Sequence, residues 1–206
     1  MSKVSNRLML ISIALLFFAP LMLAVLMRSD WWSWKPEHMV NHGILVIPPV
    51  PVDFKDLIVR TGNGAGTASI QGRWTVLYVP DASCDDSCLH DLAALRQIRK
   101  ASGRHREQVV LALLDTSGTS SELMRKSRNI YAQWLWIGDP QDMLGSELEA
   151  AARQDQGPAA ELAGHGFLLD PAGNIILHYP RGYDPNDINQ DLQRLLKWSP
   201  QEKSSS

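Results

Sequence analysis

The stretch VLYVPDASCDDSCLHDLAALRQI, residues 76–98, decides the fold of this chain. An apolar run over residues 74–79 is typical of a buried strand and ends shortly before two cysteines. An amphipathic helix is predicted over residues 88–102, with its leucines mostly on one side. Cys84 and Cys88 are the only cysteines in the chain, and they lie between this strand and this helix. A loop in this position can present two sulfurs together. The N-terminus of the helix also favours thiolate over thiol.

The rest of the domain is predicted to alternate between strands and helices. The final helix begins with Asp184 as its N-cap and Pro185 at its first position. The other predicted strands are residues 43–47, 56–60, 109–114, 132–137, 167–169 and 175–179, and the other predicted helices are 120–129 and 140–153. This order predicts a thioredoxin-like α/β domain, in which a parallel strand pair joined by a helix precedes a hairpin and a last helix. The glycine-rich segment at 62–66 lacks the lysine of a phosphate-binding loop.

An uncharged stretch of twenty residues, 8–27, predicts a single N-terminal transmembrane helix. The alternative is a cleaved signal peptide, but such apolar regions are usually about 7–15 residues long and end at a small-residue cleavage site. No such site follows this stretch, and an uncleaved anchor is therefore favoured. Lys3 and Arg7 precede it, which favours a cytoplasmic N-terminus and an exported domain.

The predicted organisation has five parts. Residues 1–7 form a cytoplasmic N-terminus, 8–27 the anchor, 28–52 an extended linker, 53–198 the thioredoxin-like domain and 199–206 a disordered tail. The linker contains His38 and His42, which we interpret as linker residues because no cysteine lies near them in sequence. The net charge of −2 gives no indication of nucleic-acid binding.

The cysteine pair has two chemical interpretations. Two thiolates are soft ligands that suit Cu(I), and a neutral imidazole adds a donor that also accepts Cu(II). The same sulfurs close a disulfide if their Cα atoms approach within about 6–7 Å, which an exported compartment permits. A purely structural bridge is disfavoured, because such a short loop gains little closure entropy. Asp85 and Asp86 oppose thiolate formation but favour a bound cation.

Histidines supply the candidate third ligand. His165 precedes the hairpin strand that lies beside the cysteine loop in this fold, so it is a candidate metal ligand with Cys84 and Cys88. The alternative is an ordinary polar residue at the start of a strand. His90 follows Cys88 closely, but its helical direction is predicted to aim it away from the loop.

Three motifs resemble those of the Sco/SenC family, which are membrane-anchored thioredoxin-fold proteins that deliver copper during cytochrome c oxidase assembly. Cys84, Asp86 and Cys88 match the family's C-x-x-x-C loop, and the turn at residues 170–173 resembles its D-P-x-G turn. Residues 41–49 are similar to the connector of a bacterial branch of Sco-like proteins. The resemblance implies copper bound by both cysteines and a distant histidine, here His165. It also implies a place in the bacterial inner membrane, with the C-terminal domain in the periplasm.

Two functional classes follow, and a third stays open. The first is an assembly factor that binds copper and passes it to a cytochrome c oxidase subunit or another copper-site protein. The second is an enzyme, a thiol–disulfide oxidoreductase in which Cys84 attacks and Cys88 resolves. The C-x-x-x-C spacing, in place of C-x-x-C, favours the first. A scaffold whose sulfurs do neither is the third possibility.

Overall fold

The computed structural model describes residues 12–20, 22, 41–60, 70–81, 84–115, 134–156 and 161–198. The chain divides into two units, Met1–Val40 and Asn41–Ser206. In the first unit, residues 12–20 are helical and their side chains are exposed. No helix within the described ranges combines the length and the apolar character needed to cross a bilayer. Much of the predicted anchor, namely residues 8–11, 21 and 23–27, lies outside those ranges.

Seven described strands of the second unit form one mixed sheet, which confirms the predicted α/β class. In chain order they are β1 (Ile44–Pro51), β2 (Ile58–Arg60), β3 (Trp74–Tyr78), β4 (Val109–Asp115), β5 (Leu135–Gly138), β6 (Gly166–Leu169) and β7 (Asn174–Tyr179). Across the sheet their order is β1-β7-β6-β3-β4-β5-β2. Within the described residues, three long helices accompany them, α1 (Asp86–Ala101), α2 (Met143–Gln156) and α3 (Pro185–Trp198), with a 3-10 helix at Gly103–Gln108.

The predicted parallel pair forms the centre of the sheet. β3 and β4 run parallel with Trp74 opposite Val109 and Tyr78 opposite Leu113, and α1 is the crossover between them. Every residue of β3 is buried, as its largely apolar sequence predicts. Parallel neighbours need such a crossover, and this one places the start of α1 beside the carboxyl end of β3.

The predicted hairpin is confirmed and borders β3. β6 pairs antiparallel with β7 and also with β3, where Tyr78 lies opposite Gly166. Its turn is closed by Asp170, whose side chain accepts the N–H of Asn174 at 2.8 Å. Gly173 has φ +92°, and a Cβ there would lie 2.7 Å from the ring of Phe54, so both conformation and space require glycine. The hairpin therefore begins next to the end of β3.

The sheet separates two cores. On one side, β-strand residues such as Val76 and Tyr78 pack with α1 and α3, in a cluster that includes both cysteines. On the other side, alternate residues such as Leu77 and Val79 pack with α2. This alternation follows from the two-residue period of a strand. The α1/α3 side is therefore the side on which the cysteines lie.

Two helix starts differ from the prediction, and the cause in both is an aspartate cap. α1 begins at Asp86 rather than Cys88, because Asp85 is its N-cap. α2 begins at Met143 rather than Pro140, because the Asp139 carboxylate accepts the N–H groups of Met143 at 3.0 Å and Gly145 at 2.8 Å. The cap predicted at Asp184 is confirmed by its 2.9 Å bond from the Asn186 N–H.

β1 lies within the stretch that the sequence predicts to be linker. It contains three prolines, which a sheet tolerates at an edge, and β1 is an edge strand. The Gln154 side chain of α2 covers part of the free edge, accepting the Ile47 N–H at 2.6 Å and donating to the Pro48 carbonyl at 3.2 Å. The helix predicted at 120–129, the glycine-rich segment at 62–66, His38 and the tail at 199–206 lie outside the described residues.

Candidate functional site

The two cysteines are joined at the carboxyl end of β3. Cys84 and Cys88 form a disulfide, with their Cα atoms 5.1 Å apart. Cys84 lies just before α1 and Cys88 in its first turn, so one helix end positions both sulfurs. The distance is within the range that a C-x-x-x-C loop needs for bridging. The structure thus brings together the two residues that the sequence predicted as a pair.

Asp85 caps the N-terminus of α1, where the two cysteines lie. Its Oδ1 accepts the Cys88 N–H at 3.1 Å, the Ser87 N–H at 3.1 Å and the Ser87 hydroxyl at 2.7 Å. The Ser87 hydroxyl, followed by the Cys88 amide, lowers the pKa of the Asp85 carboxyl. Its negative charge is therefore used at the positive end of α1 and stabilises the helix.

The two cysteines differ in exposure and in backbone conformation. Cys84 is 7 % exposed and Cys88 is 1 % exposed. Cys84 has φ +36°, a left-handed conformation that non-glycine residues adopt only where their surroundings hold them. Its N–H donates to the Asp81 carbonyl at 3.1 Å. A partner that approaches the disulfide therefore meets Cys84 before Cys88.

A polar cluster beside the disulfide was not predicted from the sequence. The Tyr78 hydroxyl, in the same core cluster as the cysteines, donates to Asp91 Oδ2 at 3.2 Å. Burial raises the pKa of the Asp91 carboxyl and the pKa of the Tyr183 hydroxyl. In the described structure the Tyr183 hydroxyl is buried without a hydrogen-bond partner. A signal for Asp91 was its position three residues after Cys88, which places both near one side of α1.

An ion pair also reaches this region from the far end of the chain. Arg181, in the segment after β7, donates to Asp81 Oδ2 at 3.0 Å. The two residues are 100 positions apart, and no local sequence pattern could have indicated their contact. Arg181 also contributes to the lowered pKa values of Asp85 and His165, so its charge acts on the residues around the cysteine loop.

His165 is held by another histidine. Its Nδ1 lies 2.9 Å from Nε2 of His178, and the two rings are stacked with centroids 5.1 Å apart. His178 stacks in turn on Phe167, which belongs to the core on the α2 side. Burial and then Arg181 lower the pKa of His165.

The described contacts of His165 thus lie on the α2 side, whereas the cysteines pack on the α1/α3 side. Within the described ranges, no three His, Cys, Asp or Glu side chains converge as a metal-binding group. With the sulfurs joined to each other, the described form offers no thiolate ligand. The part of His165 as a third ligand stays a prediction.

Two other described histidines, His90 and His42, have carboxylate neighbours of their own. His90 is exposed, with Nδ1 3.9 Å from Asp91, as its predicted helical direction indicates. The carboxylate partner of His42 is distant in sequence. The Nδ1 atom of His42 lies 3.2 Å from Asp191, which is 149 residues away and buried. His42 is therefore part of the folded unit rather than a free linker residue.

Known structures share this fold. The Arabidopsis thaliana ScoI with copper bound is similar with a TM-score of 0.51 and 17 % identity, over 73 % of this chain and 99 % of that chain. Yeast Sco1 with copper bound is similar with a TM-score of 0.50 and 13 % identity, over 76 % of this chain and 96 % of that chain. At such identities the likeness establishes the fold alone. It confirms the Sco/SenC-like, thioredoxin-like fold that the resemblance implied.

Sequence families give a second comparison. No curated protein matches the chain. Residues 74–199 match the family described as the transmembrane-like, thioredoxin-like C-terminal domain, and this range includes the disulfide, α1, the hairpin and α3. The match covers more than half of the chain. The chain therefore belongs to the family of the transmembrane-like, thioredoxin-like C-terminal domain.

Proposed function

We propose that this chain is a membrane-anchored assembly factor whose reduced Cys84 and Cys88 bind Cu(I) for a cytochrome c oxidase subunit or another copper-site protein. The observation that carries the proposal is the pairing of two cysteines, 5.1 Å apart, at the N-terminus of α1. Once the bond between them is reduced, two soft ligands lie side by side beyond the carboxyl end of the central strand β3. Thiolates are soft ligands that suit Cu(I).

Reduction is the first step of this function. Two electrons and two protons from an external dithiol convert the Cys84–Cys88 disulfide into two thiols, and the donor becomes a disulfide. Binding of Cu(I) then releases the two protons, because thiolates are the ligands. The resulting anionic complex benefits from the amide groups at the start of α1. Oxidation and copper loading therefore exclude each other at this site.

His165 is the proposed third ligand. Its lowered pKa keeps the imidazole neutral at neutral pH, which is the form that coordinates a metal. The His165 ring contacts His178 on the α2 side of the sheet, so this proposal requires the segment at His165 to rearrange when copper binds. The Asp85 carboxylate, occupied by the Cys88 amide and Ser87, supplies charge rather than coordination.

A thiol–disulfide oxidoreductase is the second candidate, favoured by the difference in exposure between the two cysteines. The more exposed Cys84 attacks a target disulfide as thiolate and forms a mixed disulfide, which releases one target thiolate. Cys88 then attacks Cys84, which releases the second target thiolate and leaves the Cys84–Cys88 disulfide. The target gains two electrons, which the reduced pair supplies.

The proposed location is the bacterial inner membrane, with residues 8–27 as a single-pass anchor and the domain in the periplasm. The uncharged stretch, the basic residues before it and the family description support this location. A periplasmic domain also suits a cysteine pair that can exist as a disulfide.

A competition titration tests the copper function. The full-length chain in detergent is reduced, freed of reductant and titrated with Cu(I) against a chromophoric Cu(I) chelator. We expect one bound Cu(I) per chain. This binding should be lost in Cys84→Ser and in Cys88→Ser, and the oxidised wild type should bind no Cu(I). His165→Ala should weaken the affinity without changing the number of ions bound.

The same preparation distinguishes the second candidate. Failure of the reduced wild type to compete for Cu(I), together with rapid reduction of a peptide disulfide, would contradict the copper function and support the oxidoreductase. Failure of both assays would leave neither function standing. Copper binding that persists in both serine variants would place the metal elsewhere and contradict the proposal.

A further inference from the structure

Two distant segments are joined beside the cysteine loop by one ion pair. Arg181 donates to Asp81 at 3.0 Å, with side-chain exposures of 56 % for the arginine and 16 % for the aspartate. Asp81 follows the end of β3, and Arg181 follows the end of β7. The largely covered carboxylate makes this pair less screened than one at an open surface.

The backbone of Asp81 is tied to Cys84. The Asp81 carbonyl accepts the Cys84 N–H at 3.1 Å, while its carboxylate accepts from Arg181. Cys84 has the left-handed φ of +36°, a strained conformation that a non-glycine residue keeps only where its surroundings hold it. Asp81 thus contacts Cys84 through its backbone carbonyl and Arg181 through its carboxylate.

A glycine gives Arg181 its path to Asp81. Gly164 has φ +80°, and a Cβ there would lie 2.9 Å from Cγ of Arg181. The Gly164 N–H donates at 2.8 Å to the carbonyl of Val79, the residue directly after β3. The aliphatic part of Arg181 therefore packs against Gly164, because only glycine leaves room for it at this position.

We propose that Arg181, acting through Asp81, is a positioning residue that holds Cys84 in the conformation from which it pairs with Cys88. The inference rests on the proposed function, in which the pair opens and closes. With the ion pair in place, Cys84 remains near Cys88 after reduction, and the effective concentration of one thiol at the other stays high. Without it, the reduced loop gains freedom and the disulfide becomes easier to reduce.

The equilibrium between the chain and dithiothreitol measures this effect. In that exchange the Cys84–Cys88 bond breaks, an intramolecular disulfide forms in the reagent, and two electrons and two protons pass to the chain. The full-length chain in detergent is equilibrated in mixtures of reduced and oxidised reagent, and alkylated cysteines are counted by mass. Arg181→Gln should raise the equilibrium constant for reduction by about threefold to fivefold, as loss of a partly covered ion pair implies.

Matched variants isolate the cause. Arg153→Gln removes an arginine of the same 56 % exposure, paired with Glu149 on α2, and should leave the equilibrium unchanged. Arg181→Lys should restore much of the wild-type value, since it keeps the charge. Asp81→Asn should reproduce Arg181→Gln, and the double variant should add nothing further, because both remove the same contact.

Several results would overturn the inference. An Arg181→Gln equilibrium equal to wild type, or shifted no more than that of Arg153→Gln, contradicts a positioning role. Additive effects of Arg181→Gln and Asp81→Asn contradict action through Asp81. Copper binding by the reduced wild type is measured separately, so failure of the proposed function is distinguishable from failure of this inference.

Discussion

The carboxylate of Asp85 accepts the backbone N–H of Cys88 at 3.1 Å, so the residue after one cysteine holds the amide of the other. This contact makes the start of α1 and the geometry of the disulfide a single local structure. A change at Asp85 should therefore alter both the stability of the helix and its dependence on pH.

Asp85→Asn tests the charge of this cap. The pKa of Asp85 is lowered in the folded state, so its stabilising contribution is complete above the ordinary aspartate range, about pH 4, and is lost as the pH falls through the folded value. Asparagine still caps the helix but has no charge. Wild type should therefore exceed Asp85→Asn in urea midpoint at neutral pH, and the difference should shrink towards about pH 3.

Asp86→Asn is the control for this prediction. It removes the same charge from the first turn of α1 but leaves the hydrogen bonds of the Asp85 carboxylate unchanged. A pH-dependent difference as large for Asp86→Asn as for Asp85→Asn would show that the general charge, and not the cap, is responsible.

Mixed-disulfide trapping should distinguish the two cysteines. Cys84 is the more exposed, so reduced Cys88→Ser should form a stable mixed disulfide with a peptide disulfide, which nothing resolves. Reduced Cys84→Ser should form it at least about tenfold more slowly, because Cys88 is covered. Intact-mass measurement over time follows both reactions. Equal trapping rates in the two variants would contradict the assigned order of attack.

Asp191 is predicted to be the most costly polar residue to truncate among those discussed. Its buried carboxylate accepts the N–H groups of His42 and Gly43 and the hydroxyl of Tyr179. Asp191→Ala leaves these donors unpaired and should lower the free energy of unfolding by about 3 kcal/mol. His42→Ala keeps both backbone donors and should cost about 1 kcal/mol or less. Urea unfolding followed by tryptophan fluorescence measures both, and equal losses would contradict this assignment.

Gly164 and Gly182 form a matched pair for the arginine path. Both have a positive φ, +80° and +84°, but a Cβ at Gly182 meets nothing within 4 Å. Alanine at either position should cost about 1–2 kcal/mol of stability, because of the strained backbone. Only Gly164→Ala should also displace Arg181 and make the disulfide easier to reduce. A shift in the reduction equilibrium of the same size in Gly182→Ala would assign it to loss of stability alone.

Local patterns were sufficient to predict the central elements. The largely apolar run of β3 and the helical spacing that follows it placed the cysteine loop correctly, and turn residues indicated the hairpin. The start of α1 was two residues off, because the cap is an aspartate between the cysteines and not a residue before them. The extent of β1 was not predicted, since three prolines argue against a strand unless it lies at an edge.

Contacts across the chain were beyond the reach of the sequence. Arg181 and Asp81 are 100 residues apart, and His42 and Asp191 are 149 apart, so no spacing rule connects them. The side of the sheet that the His165 ring faces could not be predicted from the sequence. It follows from the pairing of β6 with β7 and from the stack of His165 on His178. The cysteine pair was predictable because both members lie in one loop.

The central claim is that Cys84 and Cys88 form a reversible functional pair and not a structural staple. A redox titration of the full-length chain in detergent tests it most directly, with cysteine alkylation and circular dichroism recorded on the same samples. We expect one reversible two-electron transition during which the helical signal is retained, since the five-residue loop contributes little to stability. Reduction that occurs only together with unfolding would contradict it.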